Sequence, residues 1–292
     1  MMKFLFKIVL LISKLPLKVL YLFSDMLFIL IYHIAGYRKK IVFNNIKNSF
    51  PEKSDQEVKK ISKEFFRNLS DYIVETIKSF TISSENLRVR VQHINQNIFS
   101  EANADGKNII LLCGHVFNWE WITALATVVP QKHSFPVYRK MQNLFWEEKL
   151  KKIRNSFGNE SIEANDVVKH IFRNKNDGNS IYMFVADQTP NHFHVDVGLE
   201  FLHQRTPAFI GYDKLATRMN LEFVYCDMKK IKRGFYQVNY YKILPDGEKF
   251  VEYEVVRKFH NMLEQTIKNN PANYLWSHRK WKYNHLIKKY IS

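Results

Sequence analysis

His115 and Glu120 are the residues of this chain whose types and spacing best fit catalysis. The histidine follows an apolar run, Asn108 to Cys113, that is typical of a buried strand, and the carboxylate lies in a helix predicted over Trp119 to Val129. A histidine with an ordinary pKa near ~6.5 is the usual general base at neutral pH. A carboxylate on its other ring nitrogen would fix the tautomer and stabilise the imidazolium. The pattern therefore predicts a base, His115, held by Glu120 at the edge of a sheet.

The same spacing also has a purely structural interpretation, in which His115 caps a helix and Glu120 lies in its exposed first turn. Gly114 and Trp119 favour catalysis, because they would allow a close approach and wall a cleft. A covalent route through Cys113 is less favoured, since a small residue at a strand end points into the packing. The chain has no Gly-x-Ser-x-Gly elbow and no His-Glu-x-x-His motif, which disfavours a serine hydrolase or a zinc hydrolase.

A second polar cluster follows another apolar strand and contains Asp187, His192, His194 and Asp196. A metal site is one interpretation of it. We favour a solvated loop at the active site, because the spacing matches no known set of ligands. The sequence therefore predicts neither a metal nor a cofactor.

The charge balance of the chain limits the partners it can have. Lys and Arg number 44 and Asp and Glu number 28 in 292 residues, a net charge of +16. Such a surplus favours anionic partners, namely phospholipid headgroups, phosphorylated lipids, acidic carrier proteins or nucleic acid. Cys113 and Cys226 are the only cysteines, which is typical of a reducing compartment.

The N-terminal region is strongly apolar. Residues 4 to 35 are mostly Leu, Ile, Val, Phe and Tyr, and five residues interrupt them: Lys7, Lys14, Pro16, Lys18 and Asp25. The segment is borderline for crossing a membrane and well suited to lying in its interface, while a buried core helix is the alternative. The basic residues 38 to 40 would keep the following chain on the cytoplasmic side. We therefore predict a membrane-anchoring segment at residues 1–36 and a single α/β domain at residues 37–292.

Beyond the anchor, the pattern predicts an α/β fold. Residues 38 to 50 predict a short basic helix, and a capping box at Ser54 and Glu57 opens a long amphipathic helix, a layer added to the domain. Strands and helices then alternate, which predicts a central, mostly parallel sheet flanked by helices. The predicted strands are Leu87–Val91, Ile109–Cys113, Phe135–Tyr138, Ser180–Ala186, Leu221–Asp227 and Phe235–Ile243. The later helices are predicted at Leu144–Phe157, Asp166–Arg173, Thr206–Met219 and Glu248–Asn269.

The chain resembles a known family in seven segments that occur in the family's order. Gly114 to Glu120 resembles the GHFGNWE block of the bacterial lipid A late acyltransferases, membrane enzymes with a His-x4-Asp/Glu signature. Six further segments resemble blocks of that family: Asn44–Glu52, Pro136–Arg139, Arg154–Gly158, Val185–Gln188, Phe201–Ala208 and Tyr274–Lys282. The chain departs from the family at Val116-Phe117, where Phe-Gly is usual, and at His203, where a glycine is usual. We expect Val116 and Phe117 to lie at the mouth of the site and to set its acceptor or chain preference.

The resemblance implies acyl transfer without a covalent acyl-enzyme, a metal or a cofactor. The donor would be a fatty acyl thioester of acyl carrier protein or of coenzyme A. The acceptor would be the hydroxyl of a hydroxyacyl chain on a phosphorylated glucosamine disaccharide. His115 would deprotonate this hydroxyl and Glu120 would hold His115.

The resemblance also implies which residues bind substrate. Arg139 and Arg154 would bind an oxyanion or a phosphate, and Asp187 would orient the acceptor or support the site. Asn118 and Gln188 would complete the substrate-binding set.

Location and partners follow from the same resemblance. The enzyme would act at the cytoplasmic face of the bacterial inner membrane, with acyl carrier protein and a phosphorylated glycolipid as partners and without nucleic acid. Two alternatives stay open: an acyltransferase for another glycolipid or aminolipid, and a catalytically silent lipid-binding relative. The sequence predicts neither acyl chain length nor oligomeric state.

Overall fold

A seven-stranded, mostly parallel sheet forms the centre of the protein. The structure is a computed structural model, and it describes residues 2–190, 192–244 and 251–291. The strands are β1 Val91–His93, β2 Ile109–Cys113, β3 His133–Tyr138, β4 Ile162–Glu163, β5 Ser180–Val185, β6 Val197–Phe201, β7 Gln204–Pro207, β8 Glu222–Lys232, β9 Phe235–Lys242 and β10 Lys289–Tyr290. The central order is β1-β9-β8-β2-β5-β3-β4, and only β8 and β9 run antiparallel among these described pairs. The predicted α/β class with a mostly parallel sheet is confirmed.

Helices cover the sheet and also form the N-terminal part of the chain. The α-helices are α1 Met2–Ser13, α2 Leu17–Phe28, α3 Lys39–Ser49, α4 Asp55–Lys78, α5 Ser84–Arg90, α6 Asn97–Ala104, α7 Leu144–Arg154, α8 Val167–Arg173, α9 Asp213–Ala216 and α10 Glu254–Asn269. A π-helix continues α2 at Ile29–Ile34. The 3-10 helices are Trp119–Thr127, Ser156–Gly158, His192–His194, Pro271–Asn273 and Asn284–Leu286.

The sheet separates two hydrophobic cores, because successive side chains of a strand point to opposite faces. In β2, Ile110 and Leu112 join the core that α10 covers, whereas Ile109 and Leu111 join the core that α2 and α6 cover. Each of these four side chains is fully buried. Burying a side chain of this size stabilises the fold by ~1.5–3 kcal/mol. The strand that leads to His115 is therefore held rigidly on both faces.

The long amphipathic helix and its capping box are confirmed as α4. Ser54 caps the helix by accepting a hydrogen bond from the backbone N–H of Glu57, and the Glu57 side chain accepts one from the backbone N–H of Ser54. The buried face of α4 runs from Val58 to Glu75 and contacts α1, α2 and α3. The first four helices thus form one layer on the α/β domain.

The apolar segment Leu17–Ile34 is long and apolar enough to cross a membrane, with a mean hydropathy of 1.7, and 22% of its residues are buried. Three polar side chains on its inner face are bonded to the rest of the chain: Tyr21 to Glu75 at 2.8 Å, Ser24 to Asp71 at 2.7 Å and Asp25 to Arg233 at 2.7 Å. Its outer face carries Leu22 and Met26, which are 64% and 56% exposed. The inner face of the helix therefore combines these polar bonds with the buried side chains of Leu17, Leu20 and Phe28, whereas the outer face is apolar.

Two predicted elements were wrong. The alternating residues 87 to 91 belong mostly to α5, because Ser83 caps a helix that continues to Arg90. The helix predicted at Thr206–Met219 is a strand, β7, followed by the short α9. Pro207 fits this strand because β7 lies at the edge of the small sheet, whose order is β10-β6-β7. The helix predicted from Glu248 is observed from Glu254, and residues 248 to 250 lie outside the described part of the chain.

Candidate active site

His115 and Asp187 lie at the carboxyl ends of two neighbouring parallel strands. β2 and β5 pair in register, with Cys113 opposite Val185, so the residues two positions beyond each strand end come side by side. The backbone N–H of His115 donates to Asp187 Oδ1 at 3.1 Å, which fixes the two turns against each other. Ligands bind at this edge in open parallel sheets, so the fold places both side chains where chemistry is usual.

The imidazole of His115 is hydrogen-bonded to Asp187, at 2.6 Å from Nδ1 to Oδ1. A carboxylate only accepts, so Nδ1 carries the proton in this pair and Nε2 is left as the basic nitrogen of the neutral ring. The side-chain amide of Gln188 lies 3.4 Å from Nε2. This arrangement gives His115 the tautomer that a general base needs.

Asp187 is buried, with 3% of its surface exposed, and several donors converge on it. The Tyr274 hydroxyl donates to Oδ2 at 2.8 Å, and the buried ammonium of Lys280 donates to the backbone carbonyl. Burial acts to raise the pKa of Asp187, but His115, Lys280 and Tyr274 outweigh it and hold this pKa well below its usual range. Asp187 therefore stays ionised and can stabilise an imidazolium beside it.

Glu120 does not make the predicted contact with His115. Its carboxylate binds the guanidinium of Arg154 at two points, 2.9 Å from Nη2 to Oε1 and 3.3 Å from Nε to Oε2. The two side chains are 10% and 22% exposed. The partner of His115 is thus Asp187, which sequence reasoning placed at the site without giving it this role. Its position two residues beyond β5, matching His115 beyond β2, was the available signal.

The site opens into a cavity of about 620 Å³. Five of the predicted residues line it, namely His115, Glu120, Arg139, Arg154 and Gln188. Apolar walls come from Trp119, Pro136, Val137, Val167 and Phe209. The Trp119 ring packs edge-on against the imidazole of His115, with 4.9 Å between ring centroids. An apolar cavity with a few convergent polar groups is the usual form of a lipid-binding or catalytic pocket.

Three residues expected at the cavity lie elsewhere. Asn118 is fully buried and donates to Glu75 at 3.0 Å, so it contacts the interior rather than a substrate. Val116 and Phe117 were expected at the mouth but are 5% and 1% exposed. Phe117 stacks on Tyr72, with 5.2 Å between ring centroids. Val116 and Phe117, where this chain departs from the family's usual Phe-Gly, therefore belong to the core beneath His115.

Gly114 and Cys113 lie immediately before His115. A Cβ at Gly114 would stand 2.4 Å from Leu263 Cδ1, so a larger residue here would force the buried Leu263 side chain of α10 to move. The Cys113 thiol is buried and donates to the carbonyl of Phe184 at 3.2 Å. Burial raises the pKa of this thiol, which disfavours the thiolate a nucleophile requires.

The two acids of the polar cluster after β5 contact different partners, and the side chain of His194 lies outside the described part of the structure. Asp187 is turned to His115, whereas Asp196 forms an ion pair with Lys288 at 2.9 Å. In residues 2–190, 192–244 and 251–291, no group of three or more His, Cys, Asp or Glu residues is arranged to hold a metal ion.

The segment Asn273–Lys280 frames the turn that carries His115, and sequence reasoning did not predict this. The backbone N–H of Phe117 donates to the carbonyl of Asn273, and that of Leu275 donates to the carbonyl of His115, at 3.0 and 3.1 Å. Tyr274 and Lys280 hold Asp187 from the same segment. Their signal was the resemblance of this segment to the family's terminal block. Elements distant in sequence thus meet around His115.

Comparison with known proteins agrees with this architecture. No curated protein matches the chain in sequence. A sequence profile described as bacterial lipid A biosynthesis acyltransferase matches residues 2–283, which is nearly the entire chain. The matched region includes the strand ends that carry His115 and Asp187 and the segment that supports them. The chain therefore belongs to the bacterial lipid A biosynthesis acyltransferase family.

Proposed function

We propose that this acyltransferase moves a fatty acyl chain from an acyl carrier protein thioester to a hydroxyl of a phosphorylated glucosamine disaccharide, a lipid A precursor. The accepting hydroxyl belongs to a hydroxyacyl chain of that lipid. The observation that carries the proposal is the hydrogen bond of 2.6 Å between His115 and the buried Asp187 at the wall of an apolar cavity. Family membership gives the reaction class.

The chemistry follows from the tautomer of His115. Nε2 takes the proton of the acceptor hydroxyl while the oxygen attacks the carbonyl carbon of the thioester. The resulting imidazolium is stabilised by Asp187, which the neighbouring donors keep ionised. When the carbon–sulfur bond breaks, the imidazolium returns its proton to the leaving thiolate. A positioned base of this kind contributes ~10²–10⁴-fold to the rate.

Glu120 and Arg154 serve the developing negative charge in this proposal. The carboxylate of Glu120 holds the Arg154 guanidinium at the cavity wall, where its remaining N–H groups can stabilise an oxyanion or a phosphate. Arg139 lies exposed on the same wall and would bind a phosphate of the acceptor. Gln188 lies beside Nε2 and would orient the acceptor hydroxyl.

The net charge of +16 supports both substrates. Acyl carrier protein is acidic and the acceptor carries phosphates, so a basic surface would accelerate encounter with either partner. The outward apolar face of α2 supports the third partner, a membrane surface.

We further propose that residues 1–36 anchor the enzyme in the plane of the membrane, at its cytoplasmic face. A helix that crosses a bilayer would separate Tyr21, Ser24 and Asp25 from their partners in the domain. The observed bonds of these residues instead fix α2 along the protein surface. The helix then immerses only its outer face, which brings the cavity close to a lipid acceptor.

The topology can be tested with single cysteines introduced at Lys3 and at Tyr37, one at each side of the anchor. The native Cys113 and Cys226 are buried and give little background. An in-plane anchor leaves both introduced thiols unreactive to an impermeant maleimide in intact cells and reactive in opened cells. Labelling of either thiol in intact cells would show that the segment crosses the membrane.

The reaction can be tested with the purified full chain, an acyl carrier protein thioester with a labelled acyl chain, and the tetra-acyl disaccharide precursor. We expect wild type and Cys113→Ser to form labelled penta-acyl product and His115→Ala to lose nearly all transfer. Undiminished transfer by His115→Ala would remove the base from the mechanism. Absence of transfer by wild type to this or any other glycolipid would contradict the activity and indicate a silent lipid-binding protein.

A further inference from the structure

A fully buried carboxylate, Glu75 of α4, lies beneath the catalytic turn. Three neutral donors reach it from three elements: Tyr21 of α2 at 2.8 Å, Tyr236 of β9 at 2.7 Å and Asn118 of the turn at 3.0 Å. A buried carboxylate is costly to keep in a fold, and apolar packing would serve stability as well. Its position beneath the turn points to a task other than stability.

Asn118 ties this carboxylate to the active site. The residue is fully buried, and in the described part of the chain its Oδ1 atom has no hydrogen-bond partner. The bond from Nδ2 to Glu75 therefore fixes the side chain. The carbonyl of Asn118 accepts from the backbone N–H of Trp121 at 3.1 Å, which starts the 3-10 helix carrying Glu120.

A second contact with α4 holds the same turn. The indole N–H of Trp121 donates to the Ser79 hydroxyl at 2.9 Å, one helical turn beyond Glu75. The two fixed residues, Asn118 and Trp121, flank the pair that faces the cavity. That pair consists of Trp119, which packs on the imidazole of His115, and Glu120, which holds Arg154. A shift of the turn would therefore move both groups relative to the base.

We propose that Glu75 is a positioning residue for acyl transfer, acting through Asn118 on the turn that sets Trp119 against His115 and Glu120 against Arg154. The inference rests on the proposed function, and it assigns to Asn118 an internal task in place of substrate contact. Misplacement by even an ångström can cost an enzyme on the order of 10²-fold in rate.

Exchanging the two polar groups provides the test. Asn118→Asp places two carboxylates in contact, and we expect kcat to fall about 100-fold. Glu75→Gln keeps the shape but can leave two amide groups facing each other, and we expect a fall of about tenfold. In the double variant, the amide of residue 75 can donate to the carboxylate of residue 118. We expect its kcat to recover to within about threefold of wild type, with KM for the thioester unchanged throughout.

Matched controls separate positioning from stability. Tyr236→Phe and Tyr21→Phe each remove one donor from the same carboxylate and leave the bond to Asn118 in place. We expect both to lower the melting temperature and to keep kcat within about twofold of wild type. Each kcat is calculated from the concentration of folded enzyme, so that partial unfolding of a variant is not mistaken for a lower kcat. If Asn118→Asp does not fold, Glu75→Gln against the two tyrosine variants decides.

Two outcomes would overturn the inference: wild-type kcat in Glu75→Gln, or losses that simply add in the double variant. Inactivity of wild type itself would instead contradict the proposed function. The positioning role can also be tested without substrate, by the NMR chemical shifts of the His115 imidazole. This imidazole lies beside the Trp119 ring, so its chemical shifts depend on the position of that ring. We expect both single variants to change them and the double variant to restore them; unchanged chemical shifts would refute the positioning role.

Discussion

Two carboxylates at the same sheet edge are built in opposite ways. Asp187 is 3% exposed, and its carboxylate is bonded to the ring and the backbone N–H of His115 and to the Tyr274 hydroxyl, while Lys280 donates to its backbone carbonyl. Glu120 lies on the cavity wall, and both of its carboxylate oxygens accept hydrogen bonds from Arg154. The first arrangement keeps a negative charge beside an imidazole, and the second holds a cation at the wall of the cavity. Proximity in sequence to His115 therefore indicates the wrong partner.

Removing the charge of Asp187 should have the largest effect. Asp187→Asn can present its amide to Nδ1 and so favour the tautomer in which Nε2 is protonated and cannot act as a base. We expect kcat to fall by about 10³–10⁴-fold with little change in KM, measured by steady-state acyl transfer. The control Asp196→Asn changes an exposed acid that follows the same strand and should stay close to wild type. Equal losses in the two variants would remove the special status of Asp187.

Neutralising Glu120 should cost less. In Glu120→Gln the half-buried Arg154 loses its ionic partner and its fixed direction, so we expect kcat to fall about 10–100-fold. Tyr72 lies beside this pair, and burial raises the pKa of its hydroxyl, so the hydroxyl stays neutral. Tyr72 therefore cannot replace the negative charge that the variant removes. The control Glu148→Gln lies exposed on α7, the helix of Arg154, and should leave the rate unchanged. A loss as large as that of Asp187→Asn would erase the contrast between the two acids.

Tyr274→Phe should weaken the support of Asp187 without removing it. The variant deletes one hydroxyl donor to Oδ2 and keeps the packing of the ring, so we expect a loss of about tenfold in kcat. Tyr290→Phe, on the exposed β10, is the matched control. A wild-type rate in Tyr274→Phe would show that His115 and Lys280 suffice to hold the carboxylate.

Lowering the pH should reduce the free energy of unfolding through His260, a buried residue of α10 near Asp187. Burial, assisted by the nearby Lys280, lowers the pKa of His260 to about 3, whereas an unfolded histidine titrates near ~6.5. The unfolded chain thus binds the extra proton first, and stability present above about pH 6.5 is lost as the pH falls towards 3. We expect His260 to account for about 1 kcal/mol of the unfolding free energy lost between about pH 7 and about pH 5.5.

Denaturant titrations at both pH values measure this loss. His260→Gln should reduce the loss by that amount, whereas His203→Gln, at an exposed position, should keep it. An unchanged pH dependence in His260→Gln would place the acid sensitivity elsewhere.

The sequence predicted the elements whose patterns were governed by local chemistry. The capping box of α4, the apolar strand β2 and the position of His115 after it each depend on neighbours within a few residues. The same local logic failed at residues 87 to 91, where alternation competed with the cap at Ser83. It also failed at Thr206, where a tight hairpin with the preceding strand β6, turning at Leu202 and His203, outweighed a helix-start pattern.

The candidate site was predictable only in part, because its partners are joined through the sheet rather than along the chain. His115 and Asp187 are 72 residues apart and meet through the register of β2 and β5. Asn118 was expected to bind substrate. Its side chain points to the interior, and no sequence pattern encoded the matching carboxylate at Glu75.

The bonds and the packing on the inner face of α2 mean that the proposed anchor is also part of the folded core. A shortened protein that begins after residue 36 would uncover Glu75 and Asp71 and strip Arg233 of one of its acids. It would also expose the apolar face of α4 on which Leu20 packs. Solubility for purification is therefore better sought by replacing Leu22, Met26 and other outward residues with polar ones than by truncation.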